Sequence, residues 1–371
     1  MKNVLFLSSW FPSRVHNTLG NFVKYHAHAS AKFNNIFVLY IVADDSIENY
    51  ELVTSNENNL VITIVYFKRG FFKYFNYFKA FLIGFNFYTK SKALHFDVVH
   101  MNIIHPGIWQ ALYLKIRYQI PYIVSENWHG FQDLSKYKLS FLQRFFINHG
   151  FKKSSFICPV SIQLKNCMIQ AGFSANYKVI PNVVNTNIFN ISKVQKSKSF
   201  TFLHISTLDD SIKNISGIIE AFDQLNIPNC TLKIIGDGPL EWITKKINIL
   251  PSRNSIVLKG EMVYSDIAKE MQLANVFVLF SNIENLPLVL IECMASGIPF
   301  ISSNVGGISE LYDKEVGVLV DPGDIKNLSK QMELMFQNYN NYIPEKIRKY
   351  ALDYYSEEVV GKKFNDLYIE L

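Results

Sequence analysis

The stretch from Asn275 to Ser303, NVFVLFSNIENLPLVLIECMASGIPFISS, constrains the fold more than any other part of the chain. Residues 276–280 form a β-branched and aromatic run suited to a buried strand, and Ser281-Asn282 breaks it with a polar turn. A helix is expected next. Pro287 suits a first helical turn, where its missing N–H would have no partner anyway, and Leu290, Ile291, Met294 and Ala295 recur at helical spacing. Gly297 stops that helix, and residues 300–302 form a second strand. The whole is a strand, loop, helix and strand of about thirty residues, the size of a parallel βαβ crossover. Within it Glu284 lies in the loop and Glu292 inside the helix, one acid on each side of the helix start.

A length of 371 residues suggests about two domains on the rough prior of 100–200 residues each. Hydrophobic content of 49% against 18% charged residues fits a chain with a sizeable core and excludes a disordered one. Cys158, Cys167, Cys230 and Cys293 are scattered without metal-ligand spacing and read as buried thiols in a reducing compartment. No apolar run approaches the roughly 18 residues that would span a bilayer. The first ten residues are followed by Pro12 and Arg14, which suits a first β-strand and not a secretory signal. The expected location is cytoplasmic, and at the inner face of the cell membrane if residues 66–96 lie on a bilayer.

Charge divides the chain. Residues 1–190 carry 19 Lys and Arg against 8 Asp and Glu, and the remainder 18 against 23. Eight of the nine histidines also fall in the first half, so the halves are expected to meet different partners.

In the first half, strands are expected at residues 4–8, 36–42, 60–67, 97–101, 121–125, 155–159 and 177–180, with helices at 22–31, 108–118, 140–150 and 161–171. Gly20, just before the first helix, could turn backbone N–H groups toward a phosphate or sugar, or mark a plain turn. Residues 66–96 interleave Lys68, Arg69, Lys73, Lys79, Lys90 and Lys92 with Phe and Tyr, and contain no acid. Two readings stand: a helix lying on an anionic membrane surface, and a core-facing helix with a basic rim. No recognised nucleic-acid motif accompanies the patch, so nucleic acid is not an expected partner. Two strand ends carry polar clusters, with His105 after one and Glu126, Asn127 and His129 after the other. These could converge where a carboxylate or imidazole orients an acceptor hydroxyl, whereas His100, inside a strand, reads as structural. No H-x-x-x-H or H-E-x-x-H spacing joins them, and no metal is expected.

Residues 192–199, polar and rich in lysine and serine, read as a linker. A second α/β series follows, with strands at 200–206, 231–235, 255–258 and 317–321 around the opening stretch, and helices at 214–225, 265–273, from 305 onward, at 325–336, 345–350 and 357–371. Lys213 stands at a loop–helix junction where it would meet a diphosphate. Gly236-Asp237-Gly238 is no dinucleotide fingerprint, since Glu241 occupies the third glycine position. Two successive βα series imply two Rossmann-like α/β domains with a polyhydroxylated or phosphorylated ligand held between them. The expected divisions are a basic domain at 1–190, a linker at 191–199, a second domain at 200–350, and a C-terminal helix at 351–371 that crosses back to the first domain.

The stretch ENLPLVLIECMASGIPFISS resembles the E-x7-E donor motif of retaining glycosyltransferases of family four, which have the GT-B fold of two facing Rossmann-like domains with the active site in the cleft between them. The likeness continues in SWFPS, GNFVKYHA, DVVHMN, SENWHGF, VIPNVVNTNIF, STLDDSIKNISGIIEAF, IIGDGP and GGISELYDKEVGVLVDPGD. It implies transfer of a sugar, with retention and without a metal or cofactor, from a nucleotide-diphosphate sugar, a UDP-sugar being favoured. The acceptor implied is a glycan or lipid-linked one in surface polysaccharide synthesis, of the capsule or O-antigen type.

The resemblance places Glu292 on the ribose hydroxyls, Glu284 on the sugar, and the N–H groups of Leu288 and Val289 with Lys213 on the diphosphate, with Gly236, Thr207 and Gly20 nearby. Thr207 stands where members commonly carry arginine, and Asn127 where many carry histidine. Asn127, with His129 as second choice, is then the expected acceptor-side catalytic residue, flanked by His105 and Glu126. Two alternatives remain at this level: a nucleotide-sugar epimerase of the same build, and a catalytically silent nucleotide-sugar-binding partner of an assembly complex.

Overall fold

A computed structural model describes residues 1–17, 19–134, 139–191, 199–225, 227–250 and 255–371. The expected linker at 192–199 therefore lies, apart from Ser199, outside the described residues. The chain divides into two compact units, Met1–Val183 with Glu357–Leu371, and Val184–Ser356, in place of the expected edges at 190 and 351.

The first unit is built on β1 (Asn3–Ser8), α1 (Asn21–Ala31), β2 (Asn35–Ala43), β3 (Tyr50–Glu57), β4 (Leu60–Phe67), α2 (Lys73–Asn86), β5 (Val98–Asn102), α3 (Ile108–Tyr118), β6 (Tyr122–Glu126), α4 (Phe141–Lys153), β7 (Phe156–Pro159) and α5 (Ile162–Gln170). Its sheet has seven strands in the order β3-β4-β2-β1-β5-β6-β7. All neighbours are parallel except β3 and β4. Strand β3 escapes the sequence pattern because its outer half, from Val53 to Glu57, is exposed and polar. It is made instead by a two-residue hairpin at Asn58-Asn59, where Asn58 takes the left-handed backbone such a turn needs. The strand expected at 177–180 is reduced to a single bridge between Tyr177 and Ile157.

Ser140 and Gln143 close a reciprocal capping box that starts α4, and Ser161 caps α5. Helix α2 covers only the middle of the basic aromatic stretch, between the end of β4 and a π-helical turn at Phe87–Ser91, and buries Ala80, Phe81, Gly84 and Phe85. Its Phe78 and Phe81 pack on Trp109 and Tyr113 of α3, and α4 packs against α3 in turn, so α2, α3 and α4 lie side by side. Among the described residues no helix is long and apolar enough to cross a membrane.

The second unit contains β8 (Phe200–Thr207), α6 (Asp210–Lys213), α7 (Ile215–Asp223), β9 (Cys230–Asp237), α8 (Glu241–Asn248), β10 (Ser255–Lys259), α9 (Tyr264–Leu273), β11 (Val276–Leu279), α10 (Leu288–Ala295), β12 (Phe300–Ser303), β13 (Gly317–Val320), α11 (Ile325–Gln337) and α12 (Pro344–Tyr355). Its six strands are all parallel, in the order β10-β9-β8-β11-β12-β13. The helix expected from 305 is only a 3-10 turn, Ile308–Glu310. One core of Ile, Leu, Val and Phe from β8, β9, β11, α7 and α11 holds the unit together. Chain direction relative to β8 reverses between β9 and β11, so the ends of β8 and β11 flank a topological switch point, where open α/β sheets bind ligands.

The closing helix α13 (Glu357–Ile369) belongs to the first unit and packs on α1. Gly361 makes this close: a Cβ there would lie 2.1 Å from the carbonyl oxygen of Ala29. His100 bridges Tyr368 of α13 at 2.6 Å and Ser125 of β6 at 2.7 Å, the structural role expected of it. Of the four cysteines, Cys167 is only partly buried, unlike the buried thiol expected.

Candidate active site

The switch point of the second unit holds a pocket of about 280 Å3 lined by Thr207 of β8, Lys213 of α6, Tyr264 of α9, and Glu284, Leu288 and Glu292 around α10, among others. Local sequence explains each wall. Asp209 accepts from Ser211 N and starts the one-turn α6, and Asn214 ends it in a left-handed conformation while capping α7 through Gly217 N. This short turn holds Lys213 at the pocket. The loop after β11 is tied to it by Asn282, whose backbone N donates to Ile212 O at 2.7 Å and whose side chain donates to Ser211 O at 3.0 Å.

Lys213 Nζ donates to Glu284 Oε1 at 2.6 Å, and Ser281 Oγ donates to the same oxygen at 2.8 Å. Gly306 is required behind them. It has φ +57°, and a Cβ there would lie 1.8 Å from the Glu284 carbonyl oxygen. Gly307 N donates to Asn285 O at 2.7 Å, and Ser303 Oγ donates to Ser281 O at 2.6 Å, so the loop is gripped from both sides.

Helix α10 begins at Leu288 with Pro287 as its N-cap residue, which brings no side-chain cap. The first N–H groups of a helix have no intrahelical acceptor, and here the first two helical residues, Leu288 and Val289, line the pocket. One turn further, Glu292 is 4% exposed and its Oε1 has no hydrogen-bond partner among the described residues. Burial raises its carboxyl to about 8, so at neutral pH it is mostly protonated. A buried polar atom without a partner is uncommon in folded proteins and marks a place for a donor supplied from outside.

Gly236, expected at the donor, does not line the pocket. It lies beside Ser206 in the β8–β9 register, where a Cβ would meet the Ser206 carbonyl oxygen at 2.0 Å, so it permits close strand approach. Ser206, Tyr264 and Ile267 line the pocket without having been expected. Ser206 Oγ lies 2.7 Å from Nε2 of the buried His204, whose Nδ1 meets Val278 O at 2.8 Å. Burial lowers His204 to about 4 and keeps it neutral. The only sequence signal was a histidine in an otherwise apolar strand.

In the first unit, the loops after β1, β5 and β6 meet. Ser9 N donates to Asn102 O, and Ser9 Oγ donates to Ile103 O. Gly20 has φ +77° and passes Trp10 so closely that a Cβ would lie 2.5 Å from its carbonyl, which makes it a packing glycine at the start of α1. Glu126 is fully buried and accepts from the backbone N–H groups of Ile104, Asn127 and Trp128 at 3.0, 2.9 and 2.8 Å. Burial raises it to about 7 against those bonds. Glu126 thus staples the β5 and β6 loops together. The His105 ring stands 6.2 Å from that of Trp128. Asn127 Nδ2 donates to Asn182 at 3.4 Å, and His129 opens a 3-10 turn, His129–Phe131.

Two Rossmann-like parallel-sheet units of this build define an α/β protein of GT-B fold. Anabaena HepE, solved in complex with UDP-glucose, superposes with a TM-score of 0.77 at 17% identity, over all of both chains. The family described as "Glycosyl transferases group 1" matches residues 186–353, and "Glycosyltransferase Family 4" matches residues 21–188. The two matches follow one another along the chain, a family 4 match over the first unit and a group 1 match over the second.

The chain is similar to N-acetyl-alpha-D-glucosaminyl L-malate synthase of Bacillus anthracis, 24% identical over 49% of this chain and 48% of that protein. It is also similar to a putative teichuronic acid biosynthesis glycosyltransferase of Bacillus subtilis, 24% identical over 65% of this chain and 61% of that one. The chain spans about half the length of the first curated relatives it matches.

Proposed function

We propose that the protein transfers a sugar with retention from a UDP-sugar to a glycan or lipid-linked acceptor in the assembly of a surface polysaccharide. The observation that carries this reading is the buried Oε1 of Glu292, without a partner among the described residues, one turn into a helix whose first residues line the same pocket as Lys213 and Glu284. A vicinal diol supplies two O–H donors to such a carboxylate. A diphosphate reaching the helix start meets the N–H groups of Leu288 and Val289 and the positive end of the helix dipole. Lys213 then exchanges Glu284 for phosphate, which leaves Glu284 to accept from sugar hydroxyls. Charge developing on the departing diphosphate is stabilised by the helix start and Lys213, so the reaction uses no metal ion. A donor phosphate oxygen takes the acceptor proton on the same face of the sugar, which gives retention. Asn127, with His129 and His105, orients the acceptor. The UDP-glucose bound by HepE and the teichuronic acid role in the name of the Bacillus relative support the donor class and the product class.

The test is release of UDP from a panel of UDP-sugars in the presence of lipid-linked acceptors, with the anomeric configuration of product read by NMR. Glu284→Ala and Lys213→Ala are each expected to lower kcat by about 10²- to 10³-fold, and chelator to change nothing. Full turnover by Glu284→Ala, an inverted product, chelator sensitivity, or product formed without acceptor would each overturn part of this assignment.

A further inference from the structure

Helix α4 is apolar on two opposite sides. Ile147, Gly150 and Phe151 face inward and are buried. Phe141, Leu142, Phe145 and Phe146 face out, and are 84, 64, 55 and 49% exposed. At about 100° per residue these four share an arc of about 140° with His149, Lys152 and Lys153, so the helix presents one aromatic stripe ending in two lysines. The His149 ring stacks on Phe145, with centroids 6.1 Å apart and planes at 13°. Four large apolar side chains together in water mark a surface that something covers.

Charge selects what covers it. No Asp or Glu occurs between Asp133 and Asp209, while Arg144, Lys152 and Lys153 lie on α4 itself. The neighbouring α3 exposes Ile116 and Arg117, the chain leading into α2 exposes Phe71 and Phe72 with Lys68 and Arg69, and the first turn of α2 exposes Lys73, Tyr74 and Phe75. Because α2, α3 and α4 lie side by side, these patches share one side of the unit. A second copy of the same surface would set like charges against each other. On α4 the aromatics stand among lysines and an arginine without an acid on the helix, which matches the boundary between anionic headgroups and acyl chains; at the lead-in to α2, Asp45 accepts from Arg69 N at 3.3 Å.

We propose that the outward face of α4 docks the protein on an anionic phospholipid bilayer, with Phe141, Leu142, Phe145 and Phe146 entering the headgroup boundary and Lys152 and Lys153 meeting lipid phosphates. The lead-in to α2 makes a second contact. This surface is independent of the donor pocket and stands or falls separately from it.

The experiment is flotation of the full chain with phosphatidylcholine vesicles, with and without phosphatidylglycerol, at low and high salt. The protein is expected to float only with phosphatidylglycerol and to be released by salt. Phe145→Ser with Phe146→Ser, and separately Lys152→Glu with Lys153→Glu, are each expected to lower the vesicle partition coefficient by about tenfold or more. Both should leave UDP-sugar turnover on a water-soluble acceptor unchanged. A Phe145→Trp variant keeps the apolar face, and its emission is expected to shift to the blue on adding the anionic vesicles. Absence of flotation, unchanged flotation of both double variants, or an unshifted emission spectrum from the Phe145→Trp variant would overturn the proposal. So would a dimer in light scattering that Phe145→Ser with Phe146→Ser dissociates, since the face would then be a self-interface.

Discussion

Replacing Glu292 by glutamine tests the pocket most sharply, because the carboxyl is isosteric with the amide and its ionisation is the quantity at issue. Burial raises Glu292 to about 8. If a ribose diol is gripped by the carboxylate, only the ionised fraction of the protein is ready to bind. That fraction rises from roughly 1% at pH 6 to about half at pH 8, so the apparent affinity for a UDP-sugar should rise by about fiftyfold, or ~2.3 kcal/mol. A UDP-sugar has no group of its own titrating in that window, since both phosphates are diesters. Calorimetry in two buffers of different ionisation enthalpy should show close to one proton released on binding at pH 7. With Glu292→Gln both the pH slope and the proton release vanish.

Stability carries the same signature with a definite sign. The folded pKa lies above the ordinary value of 4.5, so the folded chain holds this proton more tightly than the unfolded one. The associated stability is complete below pH 4.5 and is lost as pH rises through 8, by at most about 5 kcal/mol. Glu292→Gln should flatten that decline in urea midpoint. A Kd for UDP-sugar that changes by less than about threefold between pH 6 and 8 in the wild type would refute the carboxylate–diol grip.

Three further outcomes follow from packing. Gly306→Ala adds a Cβ 1.8 Å from the Glu284 carbonyl at φ +57°, so the loop must move; transfer should fall far more than UDP affinity, measured by kcat against Kd. His26 is buried, with its ring nitrogen toward Pro181 O at 3.3 Å, and burial lowers it to about 4. Its contribution is complete above pH 6.5 and is lost as pH falls through 4, so about 3 kcal/mol of stability should disappear on acidification, and His26→Leu should reduce that loss in urea titrations at pH 7 and pH 4. Arg348 donates to the carbonyls of Phe189, Ala295 and Thr186, holding the C-terminal end of α10; Arg348→Ala should cost about 2–3 kcal/mol in urea unfolding, with only partial recovery in Arg348→Lys, which lacks the fork.

Most of the second unit could be read in advance because its strands are short apolar runs and its helices carry one apolar stripe, so periodicity and burial coincide. The αβ alternation did the same for the first unit. Where a polar edge strand depends on its hairpin, as β3 does on Asn58, local pattern is silent. The site follows the same division. Glu284 and Glu292 were singled out by their likeness to the E-x7-E motif, and Lys213 by its place at a loop–helix junction. Ser206, Tyr264 and Ile267 come to the pocket from strand and helix ends far apart in sequence, where only the sheet order brings them together. Glu126 shows the converse limit. An acid after a strand can point into a cavity or take the backbone N–H groups of its own loop, and sequence treats both alike.

If the pocket takes a diphosphate, as proposed, its two glutamates look electrostatically wrong, and two different devices offset them. Glu284 is neutralised as a pair by Lys213 at 2.6 Å. Glu292 is neutralised by desolvation, which keeps its proton on at neutral pH. The pocket therefore presents little net negative charge from its side chains, against the uncompensated positive end of α10. An incoming diphosphate meets attraction first. On the proposed reading its arrival would draw Lys213 away and free the Glu284 carboxylate, and the accompanying diol would make ionisation of Glu292 favourable. On that reading both acids become fully available to ligand hydroxyls only as their ligands arrive, so a nucleotide lacking either the diphosphate or the diol should leave one of them neutralised and bind far more weakly than the sum of its remaining contacts implies.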